Sequence, residues 1–191
     1  VNDEQYRGAM NAFTDVINGT PGASASTDSV AVSEKQNTSD VYTSAYDKAQ
    51  VEATQDALNG ANDFVSPNAS GNAPTASGKL KAYDKGVNDA QSAYELAQND
   101  RTQSSAHSTD SNFDVVYTNA VAGFNNAIND PLATAKSGND LATLTYNKAL
   151  AEAKQSSLNG VLAFNNDDHD AELAKEAKPS DRDAFNVGYN Q

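Results

Sequence analysis

Five of the eight tyrosines head the same pattern. Tyr6, Tyr46, Tyr83, Tyr117 and Tyr146 are each followed by small or apolar residues at most of the positions three, four, seven and eleven further on. The first copy reads Tyr6, Ala9, Met10, Phe13, Ile17, and the fourth reads Tyr117, Ala120, Val121, Phe124, Ile128. The others read Tyr46, Ala49, Ala53, Ala57; Tyr83, Gly86, Val87, Ala90, Tyr94; and Tyr146, Ala149, Leu150, Ala153, with Leu158 one place past the pattern. A sixth, partial copy begins at Phe185, with Gly188 and Tyr189 behind it. Such spacings gather side chains onto one stripe of an α-helix, whereas a strand would scatter them over both faces. The repeating unit is therefore an amphipathic helix, and the predicted fold class is all-α.

A longer period lies over the short one. Asp40, Tyr46, Asn59-Gly60 and Phe64 recur one hundred residues later as Asp140, Tyr146, Asn159-Gly160 and Phe164. This predicts two tandem three-helix bundles arranged as an elongated repeat array, one module over 1–105 and a second over 106–191 whose last helix is cut short. Helices are expected near 4–18, 40–65, 78–98, 112–129, 140–165 and from 180 onward. Ser39-Asp40, Ser77, Asp110-Ser111, Asp140 and Pro179-Ser180 stand where N-caps are needed. The stretches 19–38, 66–78, 99–111 and 130–139 are loops by their Gly, Pro, Ser and Asn content. Asn18-Gly19 reads as a helix end. At Gly60 and Gly160 a continuing helix is preferred, because Ala57, Ala61 and Phe64 carry the stripe past the first glycine as Leu158, Val161 and Leu162 do past the second. Each Tyr is expected to pack its ring while its hydroxyl reaches water.

Leu, Ile, Val and Phe make only 31 of 191 residues, and the formal net charge is -13. Taken alone, that composition warns of disorder. The repeat moves the warning to the loops and predicts thin, Ala-packed bundles of marginal stability. No stretch approaches the roughly 18 consecutive apolar residues of a membrane span, so no membrane insertion is expected. The chain has no cysteine, which removes disulfides and thiolate metal sites. The negative charge argues against nucleic-acid binding, since phosphate repels it. The N-terminus has no signal-peptide pattern, and the sequence is expected to be a fragment of a longer protein.

Chemistry is sparsely signalled. The acidic run 165–172 offers Asp167, Asp168 and Asp170 as weak Ca²⁺ candidates, because hard cations take several oxygen ligands on a loop. An EF-hand frame fails there: His169 falls on a ligand position and Asp170 where the sharp turn needs Gly. The competing expectation is that Asp168 or Asp170 caps a short helix through Ala171–Glu176. His107 and His169 sit alone in polar loops, without the further ligands of a zinc site. No nucleophile elbow or phosphate-cradling glycine motif occurs. The expectation is a protein that is not an enzyme, with no catalytic residue and no cofactor. Asn18, Asn37 and Asn68 open glycosylation triplets of the kind that chance supplies in a chain this rich in Asn, Ser and Thr.

The Tyr-led motifs Tyr46-Asp47-Lys48-Ala49, Tyr83-Asp84-Lys85-Gly86 and Tyr146-Asn147-Lys148-Ala149, set in acidic, Cys-free, Ala-rich and Asn-rich helices, resemble the helical repeat regions of large cell-wall-anchored surface proteins, or adhesins, of Gram-positive bacteria, lactic acid bacteria especially. The resemblance implies an extracellular, cell-surface setting with wall attachment through parts outside this sequence. It implies a spacer or stalk whose partners are neighbouring repeats in the same chain. The alternative is an adhesive module that engages a host protein or glycan through its loops, with the loop 19–38 as the candidate surface. The resemblance assigns no functional residue.

Overall fold

The computed structural model describes residues 3–25, 36–66, 73–102 and 111–191. Among them every regular element is a helix: α1 (Asp3–Ile17), α2 (Gln36–Val65), α3 (Ser77–Asn99), α4 (Ser111–Asn129), α5 (Leu141–Asn166), α6 (His169–Leu173) and α7 (Pro179–Tyr189). The chain is all-α. No helix among the described residues is long and apolar enough to cross a membrane.

The helix ends follow local chemistry, with three corrections to the expected caps. Asp140 caps α5 as expected: its carboxylate accepts the Thr143 amide at 3.0 Å and the Thr143 hydroxyl at 2.8 Å. Helix α2, by contrast, starts at Gln36 and runs through Ser39 and Asp40, because nothing between Gln36 and Asp40 is Gly or Pro and a cap-forming residue is also tolerated inside a helix. In α3 the Ala76 carbonyl takes the first helical bond, from Leu80 at 2.8 Å, so Ser77 lies inside the helix. In α7 the cap position is Lys178, and Pro179 occupies the first turn, where its missing N–H costs nothing. Helix α1 ends in a Schellman turn: Thr20 N–H bonds Asp15 O at 2.8 Å and Gly19 N–H bonds Val16 O at 3.1 Å, with Gly19 at φ +71.

Two compact units divide the chain, one of Val1–Asp63 with Ser70–Asn88 and the other of Phe64–Ala69 with Asp89–Gln191. Helices α2 and α3 thus supply residues to both. In the first unit α1, α2 and α3 meet around small side chains. Ala12, Tyr42, Tyr46 and Ala49 form one buried cluster and Val16, Ala53 and Ala82 another, with Phe13 bordering both. In the second unit α5 is central, packed on α4 and α7.

Glycine sets the closest approaches. Both α2 and α5 continue through their Asn-Gly pairs, and a Cβ on Gly60 would stand 2.1 Å from the Tyr83 carbonyl oxygen, as one on Gly160 would from that of Phe185. The helix is kept at these positions because only a residue without a side chain lets two backbones come this near, which outweighs the propensity cost of about 1 kcal/mol. The partner helices return the contact through Gly86 on Ala57 and Gly188 on Ser157.

Two stripes depart in part from what the spacing suggested. On α1 the buried residues are Gly8, Ala12, Asp15 and Val16, whereas Tyr6 is 62% exposed and Met10 50%. The predicted stripe is the flank of the true one, because Ala12 and Gly8 present so little side chain that the core sits where the small residues are. On α5 the expected stripe holds through Tyr146, Ala149, Leu150 and Ala153, all buried, but past it Leu158 and Leu162 are exposed while Ser156, Gly160 and Ala163 are buried; close backbone contact at Gly160 turns the small-residue face inward.

Candidate functional site

The most developed polar constellation is in the first unit. Asp15 follows Ala12 by three residues, so the helix carries its carboxylate into the core, where it is only 5% exposed. One oxygen accepts the Tyr46 hydroxyl at 2.6 Å and the Ser24 amide at 2.7 Å, and the other accepts the Ser24 hydroxyl at 2.9 Å. Burial pushes this carboxyl up, but the bonds from Tyr46 and Ser24 outweigh it and hold Asp15 below its ordinary value. Burial, reinforced by the bond to Asp15, pushes the Tyr46 phenol up to about 12. Tyr46 also accepts the Gly22 amide at 2.9 Å, and Tyr42 donates to the Ser24 carbonyl at 3.1 Å. Asp15 and the two tyrosines thereby hold residues 20–25 against α1 and α2. With its oxygens engaged by three donors, the carboxylate acts as an anchor.

The same device recurs with different chemistry. Asn126 donates to the Tyr146 hydroxyl at 3.0 Å, and the Lys136 ammonium lies 3.9 Å from the Tyr146 ring centre. Tyr83 donates to Asp63 at 2.6 Å, and its bond to that carboxylate, aided by burial, pushes its phenol up to about 12. Tyr117 donates to the Asp100 carbonyl at 3.0 Å. The rings of Tyr46, Tyr83, Tyr117 and Tyr146 are buried. Their hydroxyls, expected to reach water, are taken by protein acceptors and donors instead, because burial makes an unpaired hydroxyl costly.

In the second unit Tyr94, Gln98 and Phe64 converge on α4 and α5. The Tyr94 hydroxyl donates to Glu152 at 2.8 Å and Gln98 donates to the same oxygen at 3.2 Å. Lys148 reaches the other Glu152 oxygen at 2.8 Å and lies 5.1 Å from the Tyr94 ring centre. The Tyr94 ring is 5.6 Å from Phe124 and 6.0 Å from Phe64. Burial, then the Glu152 charge, pushes the Tyr94 phenol far up.

The residues singled out in the acidic run do not converge. Asp167 ends α5 in the left-handed conformation at φ 55, and its neighbour Asp168 holds the N-cap position of α6 without a side-chain cap bond. The short helix spans His169–Leu173, beginning two residues and ending three residues earlier than expected, since it follows directly on the end of α5. Asp170 bonds His169 Nδ1 at 2.9 Å, and the His169 ring packs 4.3 Å from Tyr189 and 5.7 Å from Phe185. Among the described residues no three His, Asp or Glu side chains are gathered as a metal site would need. His107, Asn68 and residues 26–35 of the candidate loop lie outside the described residues.

An open groove of about 610 Å³ lies between α1 and α2 of the first unit, lined by Ala9, Phe13, Ala45, Lys48, Ala49 and Glu52 among others. Neither the groove nor Asp15 stood out in the sequence. For Asp15 a signal was available: its place three residues after Ala12 matches Asn126 three residues after Gly123, when the Tyr6 and Tyr117 copies are aligned. Comparison with known proteins found no family model that matches the chain, and no curated protein or solved structure similar to it.

Proposed function

We propose that the chain is a spacer segment of an extracellular bacterial surface protein involved in adhesion, built as two tandem three-helix bundles in an elongated repeat array. One observation carries this reading: the two units repeat the same internal joints. Tyr46 with Asp15 answers to Tyr146 with Asn126, and Gly60 against Tyr83 answers to Gly160 against Phe185. Repetition of a structural joint, with the polar chemistry free to change between copies, fits selection for length and packing. A module that contacts only its neighbours yields a rod whose reach grows with copy number. The negative charge keeps such rods apart and soluble. Wall attachment in a Gram-positive envelope belongs to the same reading and rests on the resemblance of the Tyr-led motifs.

Small-angle scattering of the 191-residue chain tests the arrangement. The expected result is a pair-distance distribution with an extended tail, characteristic of bundles in line; a symmetric distribution of a single compact particle would overturn the reading.

A further inference from the structure

The groove of the first unit has a counterpart in the second, and there it is filled. Phe13, matched through the Tyr6 and Tyr117 copies, corresponds to Phe124; Lys48, Ala49 and Glu52, matched one hundred residues on, correspond to Lys148, Ala149 and Glu152. In the second unit these residues take Tyr94, Gln98 and Phe64: Tyr94 packs on Phe124 and bonds Glu152, Gln98 bonds Glu152, and Lys148 faces the rings of Tyr94 and Phe64. The burial differs accordingly. Phe124 is 0% exposed and Lys148 half-buried, whereas Phe13 is half-buried and Lys48 exposed. The matching positions Ala45 and Thr145 differ in the same sense, half-buried against fully buried.

We infer that the groove between α1 and α2 is the socket for a preceding module of the same kind, whose third helix places a Tyr on Phe13 with its hydroxyl on Glu52 and whose second helix ends in a Phe beside Lys48. The chemistry retained in the groove is the chemistry its counterpart uses: an aromatic floor, a carboxylate acceptor and a lysine that faces rings. Glu52 is held ready by Lys79 at 3.3 Å. This assignment rests on the tandem-array reading and adds to it the residues by which one module grips the next.

The test extends the chain by placing an additional copy of residues 1–111 directly before Val1, which preserves the thirty-residue spacing from Tyr94 to the phenylalanine it would meet. Because the protein has no cysteine, a Gln98→Cys in the added copy can be paired with Glu52→Cys in the module that follows. The expected result is cross-linking of the two thiols by a short bis-maleimide, which spans the gap the truncated side chains leave, as fast as for Gln98→Cys with Glu152→Cys in the original chain, and at least tenfold faster than for a control pair with Thr14→Cys. A rate no faster than the control overturns the assignment. A second measurement needs no substitution: amide exchange over residues 5–13 and 40–52 of the following module is expected to slow at least tenfold in the extended chain, and unchanged rates overturn the assignment. If the same protection arises in the unextended chain as its concentration rises, the occupant is a second copy in trans and the in-line socket fails. Scattering of the extended chain separates the two readings, since a rod that lengthens without the cross-link retains the spacer and removes only the socket.

Discussion

The Tyr46 hydroxyl donates to a buried Asp15 carboxylate at 2.6 Å, whereas at the matching joint of the second unit the Tyr146 hydroxyl receives a bond from the neutral amide of Asn126 at 3.0 Å. The joint is one shape with two chemistries. A hydrogen bond to a charged group contributes about 1.5–3 kcal/mol and a neutral one about 0.5–1.5 kcal/mol. Tyr46→Phe is therefore expected to cost the first unit more than Tyr146→Phe costs the second, by about 1 kcal/mol. Urea denaturation followed by amide exchange in each unit measures the difference, and equal losses would contradict it.

Acid should act on the same joint. Asp15 is held below its ordinary value near 3.8, so its contribution is fully present above that value and is lost as pH falls through the lowered one. Asp56, in the same unit, runs the other way: burial raises it, Lys79 lowers it and Glu52 raises it, so it opposes the folded state when charged. Comparison of the parent with Asp15→Asn isolates the joint. The stability gap between them is expected to be largest near neutral pH, at about 2 kcal/mol, and to close below pH 3.8. A gap that persists unchanged into acid would show that Asp15 is held by packing alone.

The position of the core on α1 gives a further test. Tyr6 and Met10 are exposed while Ala12 and Val16 are buried. Tyr6→Ala and Met10→Ala are expected to shift stability by no more than about 0.5 kcal/mol, the range of surface changes. Ala12→Leu is expected to cost about 1–3 kcal/mol through overpacking. Thermal melts of the three variants decide, and a large loss for Tyr6→Ala would restore the aromatic stripe as the buried face.

How far the sequence carries is visible in the same residues. The helices were legible because a period of three and four survives in Tyr, Ala and Phe, and the likeness of the Tyr46 and Tyr146 joints was legible because Asp, Tyr, Asn-Gly and Phe recur together one hundred residues apart. The buried face of α1 was not, since scanning for large apolar residues finds Tyr6 and Met10 and passes over Gly8 and Ala12. Asp15 was hidden for a related reason: a charge on an apolar stripe reads as its edge until the donors from Ser24 and Tyr46 are in place. The groove was beyond sequence, because Phe13 and Phe124 sit in equivalent patterns and differ only in what covers them.

Helix continuity through Gly60 and Gly160 makes an opposite prediction from propensity. On propensity alone Gly→Ala in a helix gains about 1 kcal/mol. Here the added methyl would meet a backbone oxygen at 2.1 Å, which cannot rotate away, so the helices must separate. Gly60→Ala and Gly160→Ala are expected to lose about 1–3 kcal/mol net. Gly78→Ala is the control: its nearest neighbour is the Phe13 ring at 3.6 Å, an ordinary contact, and its stability should stay level or rise slightly. Chemical denaturation of the three variants reads the sign, and stabilisation by Gly60→Ala would mean that α2 and α3 do not approach as described.

Alkali should find the tyrosine joints as acid finds Asp15. Tyr46 and Tyr83 are both pushed from an ordinary 10.0 up to about 12, Tyr46 chiefly by burial and Tyr83 chiefly by its bond to Asp63. In the unfolded chain each phenol loses its proton near pH 10, while in the folded chain it keeps the proton, so their contribution is complete below pH 10 and disappears as pH rises toward about 12. Comparison of the parent with a Tyr46→Phe, Tyr83→Phe double variant isolates the two phenols, because every other effect of alkali is common to both chains. The parent's urea midpoint is expected to fall more steeply between pH 10 and 12 than that of the variant, which begins lower but has no phenol at either joint. Parallel curves would mean that the two hydroxyls are not held by Asp15 and Asp63 in solution.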